Sequence, residues 1–374
     1  MITHDTPIPV VNLRPQIEQT REQWTLRLEE MFARQQFILG DQERAFEGEF
    51  AAAMGAQYAI GCGNGTDAIG LCLREAGVTN ERQEVITSAL TAPFSGIGIL
   101  SAGASPRFAD VNPDTLQIDV EDAGNRITKR TAALLPVHLY GQPCALQRFV
   151  KLARDRKLVL VQDAAQAHGA TVDDKPLAAF SPYVAYSFYP TKNLGALGDG
   201  GAVVTNRKGA AARLRILRDG GRKGGQVTYL PGVNSRLDEM HACYLRAFLE
   251  RLADWNNDRR RTARLYDNGL AGCGGVTLVK RGPESVCHLY VIRARKRDAL
   301  RQHLAARGIG TGIHYPVPLH LHPTYRVAGL RKGDLPHAEK ACRELVSLPL
   351  WPYLEESAAL RVIDEVRKFY GAGA

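Results

Sequence analysis

A chain of 374 residues with 45 % hydrophobic and 23 % charged residues has the composition of a globular protein with a sizeable core, which excludes a disordered or fibrous chain. The formal net charge of +9 favours anionic ligands through the field of the whole molecule. The basic residues are spread along the chain with no zinc-finger spacing and no basic tail, so nucleic acid is not an expected partner. Seven scattered cysteines, an odd number without a CxxC pair, exclude a disulfide framework and suit a reducing, cytoplasmic setting.

The opening "MITHDTPIPVVNLRPQ" lacks a basic segment followed by an apolar one, so no signal peptide is expected. Next, "QIEQTREQWTLRLEEMFARQ" places Ile17, Trp24, Leu28 and Met31 along one helical face. "AQYAIGCG" reads as a short strand and "TDAIGLCLREAGV" as the helix after it. The uncharged run from Val85 to Pro106 has the length of a membrane span. Its serine, threonine, glycine and proline content predicts instead a buried strand, a loop and a helix, and no membrane partner. "PRFADV", "TAALLPVHLY", "KLVLVQDA", "YVAYSFY" and "GAVVTN" are short apolar runs bounded by turn residues, as expected of strands buried on both faces. Helical stretches such as "ALQRFVKLARDRK" lie between several of them. This alternation predicts an α/β fold with a mostly parallel sheet covered on both sides.

After about Asn234 the texture changes. The stretch from Ser235 to Leu270 carries one long helical pattern, in which Arg259 to Arg261 read as a solvated face. "CHLYVIRA", a helix "KRDALRQHLAARG", a loop rich in proline and histidine, and a final helix near "AEKACRELV" follow. The expected division is a large α/β domain over residues 1–250 and a small α+β domain over residues 251–374.

Three segments carry chemistry. In "AIGCGNGTDAIGLCL" a strand ends in glycines and a helix begins at Thr66, an arrangement whose backbone N–H groups bind phosphate. No GKS or GKT follows, and Thr66 stands where a dinucleotide fingerprint needs its third glycine, which speaks against a nicotinamide-dependent dehydrogenase. By itself the segment reads equally as an ordinary tight turn. In "KLVLVQDAAQAHGA", Asp163 ends an apolar strand, where open α/β sheets bind ligands. A carboxylate there can hold a protonated ring nitrogen or cap the next turn, and Gln166 lies three residues on. In "SFYPTKNLGALGDGG", Ser187 to Gly201, Lys192 sits among aromatic residues, a proline and glycines. Desolvation in such a setting lowers an amine's pKa and makes it a nucleophile. A phosphate cradle, a strand-end carboxylate and an activated lysine are together the parts of a pyridoxal phosphate site. "GIHYPVPLHLHP" carries His314, His320 and His322, but without a helical spacing or a nearby acid no metal is expected there. His168 reads as a packing residue.

"GNGTDAI", "DAAQAHGA", "SFYPTKNLGALGDGGAVVTN", "GVNSRLDEMHA" and "GIHYPVPLHLHPTY", preceded by "IPVVNLRPQ" and "FILGDQERAFEGEFA", make nearly the whole chain resemble the sugar aminotransferase family, the DegT/DnrJ group. The resemblance implies an aspartate aminotransferase-like, fold type I enzyme and a homodimer with its active site at the subunit interface. It implies that Lys192 forms the Schiff base and moves the proton between carbon centres. Asp163 would pair with the pyridine nitrogen, Gln166 would lie near the phenolic oxygen, and Gly65, Thr66 and Ser187 would hold the phosphate. Asn234 would reach the phosphate of the partner subunit. His314, Tyr315, His320 and Tyr189 become candidates for substrate contact. Lysine at 192 separates the chain from relatives that dehydrate sugars, which carry histidine there. One departure concerns the aromatic residue that stacks on the cofactor in a "TFIAT"-like segment: the corresponding pair here is Thr91 and Ala92, with Phe94 two positions on.

The implied reaction is transfer of the amino group of glutamate, through pyridoxamine 5′-phosphate, to a nucleotide diphosphate-linked keto-sugar. The likeness is greatest to members acting on C3 of thymidine diphosphate-linked 3-keto-6-deoxyhexoses. A uridine diphosphate sugar, a cyclitol ketone, and a non-catalytic cofactor-binding regulator are the alternatives.

Overall fold

The computed structural model describes residues 6–225 and 227–371, so the first five residues of the opening segment lie outside the described residues. Two helices lead, α1 (Arg14–Arg34) and α2 (Asp41–Ala53). Strands and helices then alternate: β1 (Tyr58–Cys62), α3 (Gly65–Glu75), β2 (Glu84–Ser88), α4 (Pro93–Ala102), β3 (Ser105–Ala109), α5 (Val120–Asn125), β4 (Thr131–Leu135), α6 (Leu146–Asp155) and β5 (Val159–Asp163). A small hairpin of β6 (Thr171–Val172) and β7 (Lys175–Pro176) precedes β8 (Tyr183–Ser187), β9 (Gly201–Thr205) and α7 (Lys208–Arg218). The uncharged run from Val85 to Pro106 thus divides into strand, loop and helix as expected, and among the described residues no helix is long and apolar enough to cross a membrane.

Seven of these strands form one sheet in the order β1-β9-β8-β5-β4-β2-β3. Only β9 runs antiparallel to its neighbours. Alternate residues feed opposite cores: Leu134 belongs to one hydrophobic cluster, Ala133 and Leu135 to the other. That is the period-two signature of a sheet covered on both faces, and it is why these strands read as continuous apolar runs.

The C-terminal part comprises α8 (Glu239–Leu249), α9 (Leu252–Leu270), β10 (Val276–Leu278), β11 (Tyr290–Ala294), α10 (Arg297–Ala305), α11 (Pro336–Glu344), β12 (Leu345–Leu348) and α12 (Glu356–Gly371). Its three strands make an antiparallel sheet with β11 in the centre. Ile8 lies in the core of this part, donating its N–H to the Gly308 carbonyl at 2.8 Å and accepting from the Gly310 N–H at 2.7 Å.

Three expectations are corrected. The long helix breaks at Glu250 and Arg251 into α8 and α9. The hydrophobic spacing does not register the break because Phe248, Leu252 and Trp255 on its two sides enter the same core. Arg259 is not on a solvated face: its side chain is buried, with Nη1 donating to the carbonyls of His288 and Leu350, each at 3.2 Å. Of the three arginines only Arg261 is exposed. Finally, the helix near "AEKACRELV" is not the last, since β12 and α12 follow it.

Two buried acidic arrangements brace the front of the sheet. Gly40, the residue before α2, has no side chain with which to cap it. The carboxylate of Glu239, at the start of α8, accepts instead from the N–H groups of Gly40 at 2.8 Å, Gln42 at 2.9 Å and Glu43 at 2.8 Å. One turn apart on α2, Glu43 and Glu47 both meet Nη1 of Arg218, which also donates to the Gly61 carbonyl of β1 at 2.6 Å. Burial and the neighbouring Glu47 raise the Glu43 carboxyl above the usual range, against the pull of Arg218.

Candidate active site

The C-terminal ends of β5 and β8 and the N-terminus of α3 meet at one place. After β8, Phe188 is buried in the core and bonds Gly200 and Ala196 through its backbone, closing the loop that carries Lys192. The Lys192 N–H donates to the Tyr189 carbonyl at 2.8 Å. Its amine is partly buried, and burial pulls its pKa down to about 8 while the charge of Asp163 opposes the fall. The imidazoles of His168, His288 and His314 are held neutral, first by burial and then by the charge of Lys192.

Asp163 is buried at the end of β5. Its Oδ2 accepts from Ser95 Oγ at 2.7 Å and its Oδ1 from the Ala165 N–H at 3.1 Å. Burial raises its carboxyl, and these two bonds and Lys192 counter the rise. Gln166 accepts from the Tyr140 N–H at 2.7 Å and donates to the Tyr315 hydroxyl at 3.1 Å, which fixes both ends of its amide.

Helix α3 is capped by Asn64, whose Oδ1 accepts from the Asp67 N–H at 2.9 Å. The N–H groups of Gly65 and Thr66 are those a helix leaves without intrahelical acceptors. A Cβ on Gly65 would lie 2.6 Å from Cβ of Ser187, and one on Gly201 would lie 2.4 Å from the Asn64 carbonyl oxygen, so only glycine lets the three segments come together here. Ser235 binds the Gly63 N–H at 2.9 Å and the Asp67 carboxylate at 2.6 Å, tying the following loop to the same turn. The neighbouring Asn234 is exposed and joins no side-chain cluster among the described residues.

The candidate substrate residues separate. Tyr315 bonds Gln166, and the His314 carbonyl accepts from the Tyr140 hydroxyl while its ring meets Ser347 Oγ at 2.8 Å. Tyr189 is exposed. His320 is buried on Glu339 at 3.2 Å, and His322 meets the Val317 carbonyl at 3.2 Å. The three histidines of this loop therefore serve three different partners, and among the described residues no group of metal ligands forms. Phe94, in the first turn of α4, is 60 % exposed.

Sequence reasoning missed the support around Lys192. Asn193 is buried and donates to Asn256 Oδ1 at 2.8 Å and the Val286 carbonyl at 2.9 Å, while its Oδ1 meets His288 Nδ1 at 3.0 Å. Asn256 in turn donates to the His168 carbonyl at 2.9 Å. The only signal was a polar residue beside the lysine in an apolar loop. Asn193→Ala leaves several buried polar groups without partners and is expected to destabilise the protein by about 3 kcal/mol. Thermal melts should show this loss together with a lower turnover.

These residues fit pyridoxal phosphate. The α3 N-terminus and the hydroxyls of Thr66 and Ser187 suit a phosphate, Asp163 suits a ring nitrogen, and Lys192 suits the aldehyde. A mostly parallel sheet that brings these groups together at the C-terminal ends of its strands, followed in the chain by a smaller antiparallel sheet, is the architecture of a fold type I, pyridoxal phosphate-dependent aminotransferase. More narrowly, the chain belongs to the DegT/DnrJ/EryC1/StrS aminotransferase family, which it matches over residues 18–367. It is 42 % identical over 368 residues to the dTDP-3-amino-3,4,6-trideoxy-alpha-D-glucose transaminase of Streptomyces venezuelae, covering 98 % of this chain and 97 % of the relative. It is 40 % identical over 367 residues to a pleiotropic regulatory protein of Geobacillus stearothermophilus, covering 97 % of this chain and 98 % of the relative. The crystal structure of S. venezuelae DesV with a ketimine intermediate superposes with a TM-score of 0.95 at 42 % identity, over 97 % of this chain and 98 % of that one. NtdA from Bacillus subtilis, solved with bound cofactor PMP, superposes with a TM-score of 0.89 at 28 % identity, over 96 % of this chain and 84 % of that one.

Proposed function

We propose that the protein moves the amino group of glutamate to C3 of a thymidine diphosphate-linked 3-keto-6-deoxyhexose. The observation that carries this is the 42 % identity, spread over nearly the whole chain, to a transaminase of a dTDP-3-amino sugar. When bound, pyridoxal phosphate supplies the electron sink that lets an amino group pass between two carbon skeletons. Lys192 would hold the cofactor and, as an amine, would move a proton between the two carbon centres. Asp163 would hold a proton at the ring nitrogen, Gln166 would steady the phenolic oxygen, and Gly65, Thr66 and Ser187 would grip the phosphate. His314, Tyr315 and Tyr189 face the sugar, whereas His320 acts at one remove by bracing the loop through Glu339. Asn234, exposed in one protomer, fits the role of reaching the phosphate of a partner subunit, so the working form is a homodimer. All seven cysteines are free, as suits a cytoplasmic enzyme.

The reaction is reversible, which gives a direct test. Purified protein is given dTDP-3-amino-6-deoxyhexose and 2-oxoglutarate, and glutamate is measured. We expect a kcat/KM roughly 10,000-fold above that for the 4-amino isomer or for uridine diphosphate analogues, the discrimination of a site built to hydrogen-bond one arrangement of polar groups. Turnover of only the 4-amino or uridine compounds would overturn the substrate assignment. Cofactor binding without turnover of any of them would place the chain with a regulator, as the name of the G. stearothermophilus relative suggests.

A further inference from the structure

Asp163 has a buried neighbour that the reaction as described does not use. Ser95, in the first turn of α4, is almost completely buried and its Oγ lies 2.7 Å from Asp163 Oδ2. The same Oγ lies 3.1 Å from Thr91 Oγ1, also buried. A hydroxyl has one proton to give, and an ionised carboxylate only accepts. The Ser95 proton therefore goes to Asp163, and Thr91 donates to Ser95. The result is a one-way chain, Thr91 to Ser95 to Asp163, that suits the ionised acid. The N-terminal end of α4 adds a positive partial charge on the same side. Lys192 is the charged group whose field acts on Asp163; the charge of Asp163 in turn reaches the Tyr315 hydroxyl and the Cys72 thiol, and burial holds both protonated.

We infer that Ser95, oriented by Thr91, is a positioning residue that holds Asp163 as an ionised acceptor and so decides on which atom the proton shared with the cofactor's ring nitrogen rests. This builds on the pairing of Asp163 with that nitrogen. Removing the Ser95 hydroxyl leaves Asp163 with the Ala165 N–H alone, in a buried place that favours the neutral acid. The shared proton then moves from the ring nitrogen toward the carboxyl, and the ring loses its strength as an electron sink.

The test uses holoenzyme reconstituted with pyridoxal phosphate isotopically labelled at the ring nitrogen, whose NMR shift reports protonation. In Ser95→Ala the signal should move toward the neutral-pyridine position and the cofactor Kd should rise about tenfold, the loss of one hydrogen bond to a charged group. Ser95→Thr, which keeps the hydroxyl, should restore both. Thr91→Val should move both in the same direction by less. Asp163→Asn is the reference. An unchanged signal in Asp163→Asn defeats the Asp163 pairing itself. A neutral-position signal in Asp163→Asn beside a wild-type signal in Ser95→Ala defeats the role of Ser95 alone. Should Ser95→Ala not fold, a wild-type signal and Kd in Thr91→Val overturn the inference.

Discussion

Lys192→Ala is expected to lower transamination roughly ten-thousandfold, because one amine both attaches the cofactor and carries the proton. The cradle at α3 and the Asp163 carboxylate remain, so the variant should still bind pyridoxal phosphate but without the visible band of a lysine-linked cofactor. Steady-state glutamate assays and absorption spectra of the same samples separate the two effects. The pH dependence follows from burial of the amine. With a pKa of about 8, about a tenth of Lys192 is neutral at pH 7, against roughly one part in 2,500 for an ordinary lysine. The rate at which apoenzyme captures the cofactor should therefore rise with pH through about 8 and then level off. A rate still climbing toward pH 10 would show an amine in ordinary solvent. In Asp163→Asn the plateau should start at lower pH, because the opposing charge that holds the lysine protonated is gone.

The second large effect concerns stability. Arg218→Leu leaves Glu43 and Glu47 buried without their shared cation, and is expected to cost about 3–5 kcal/mol near neutral pH. The folded Glu43 carboxyl lies above its unfolded value, so the folded state binds more protons than the unfolded one in the interval between the two. Its contribution is fully present below the unfolded value and is lost as pH rises through the folded one. Removing the arginine raises the folded value further, so the variant should lie closest to wild type near pH 5 and fall away from it toward pH 8.5. Thermal melts across that range check this. An equal deficit at both ends would mean that packing, not charge, accounts for the loss.

The parts of the site that were legible in the sequence are those whose chemistry is local. Gly65 and Thr66 follow a strand, Asp163 ends one, and Lys192 sits in an apolar loop; each is defined by residues within a few positions. What was not legible is carried by contacts between distant segments. Ser95 reaches Asp163 across 68 positions and Asn193 reaches His288 across 95, and no periodicity relates such pairs. The burial of Arg259 was hidden for the same reason, since the carbonyls that receive it belong to His288 and Leu350. The break between α8 and α9 escaped because an apolar stripe continues through it. In the sheet, by contrast, the strands announced themselves because burial on both faces makes them largely apolar, as in the run from Ala132 to Leu135 of β4.

The cap on α2 also bears on how the chain is made. Its acceptors come from Glu239, between 196 and 199 residues after the N–H groups they serve. At a synthesis rate of about 5–20 residues per second, α2 waits roughly 10–40 s for its cap. Throughout that interval the nascent protein carries a helix end, with Glu43 beside it, that water alone must satisfy. The front of the molecule is thus finished by its middle, and a ribosome that stalls before residue 239 holds a sheet beside which α2 is still fraying.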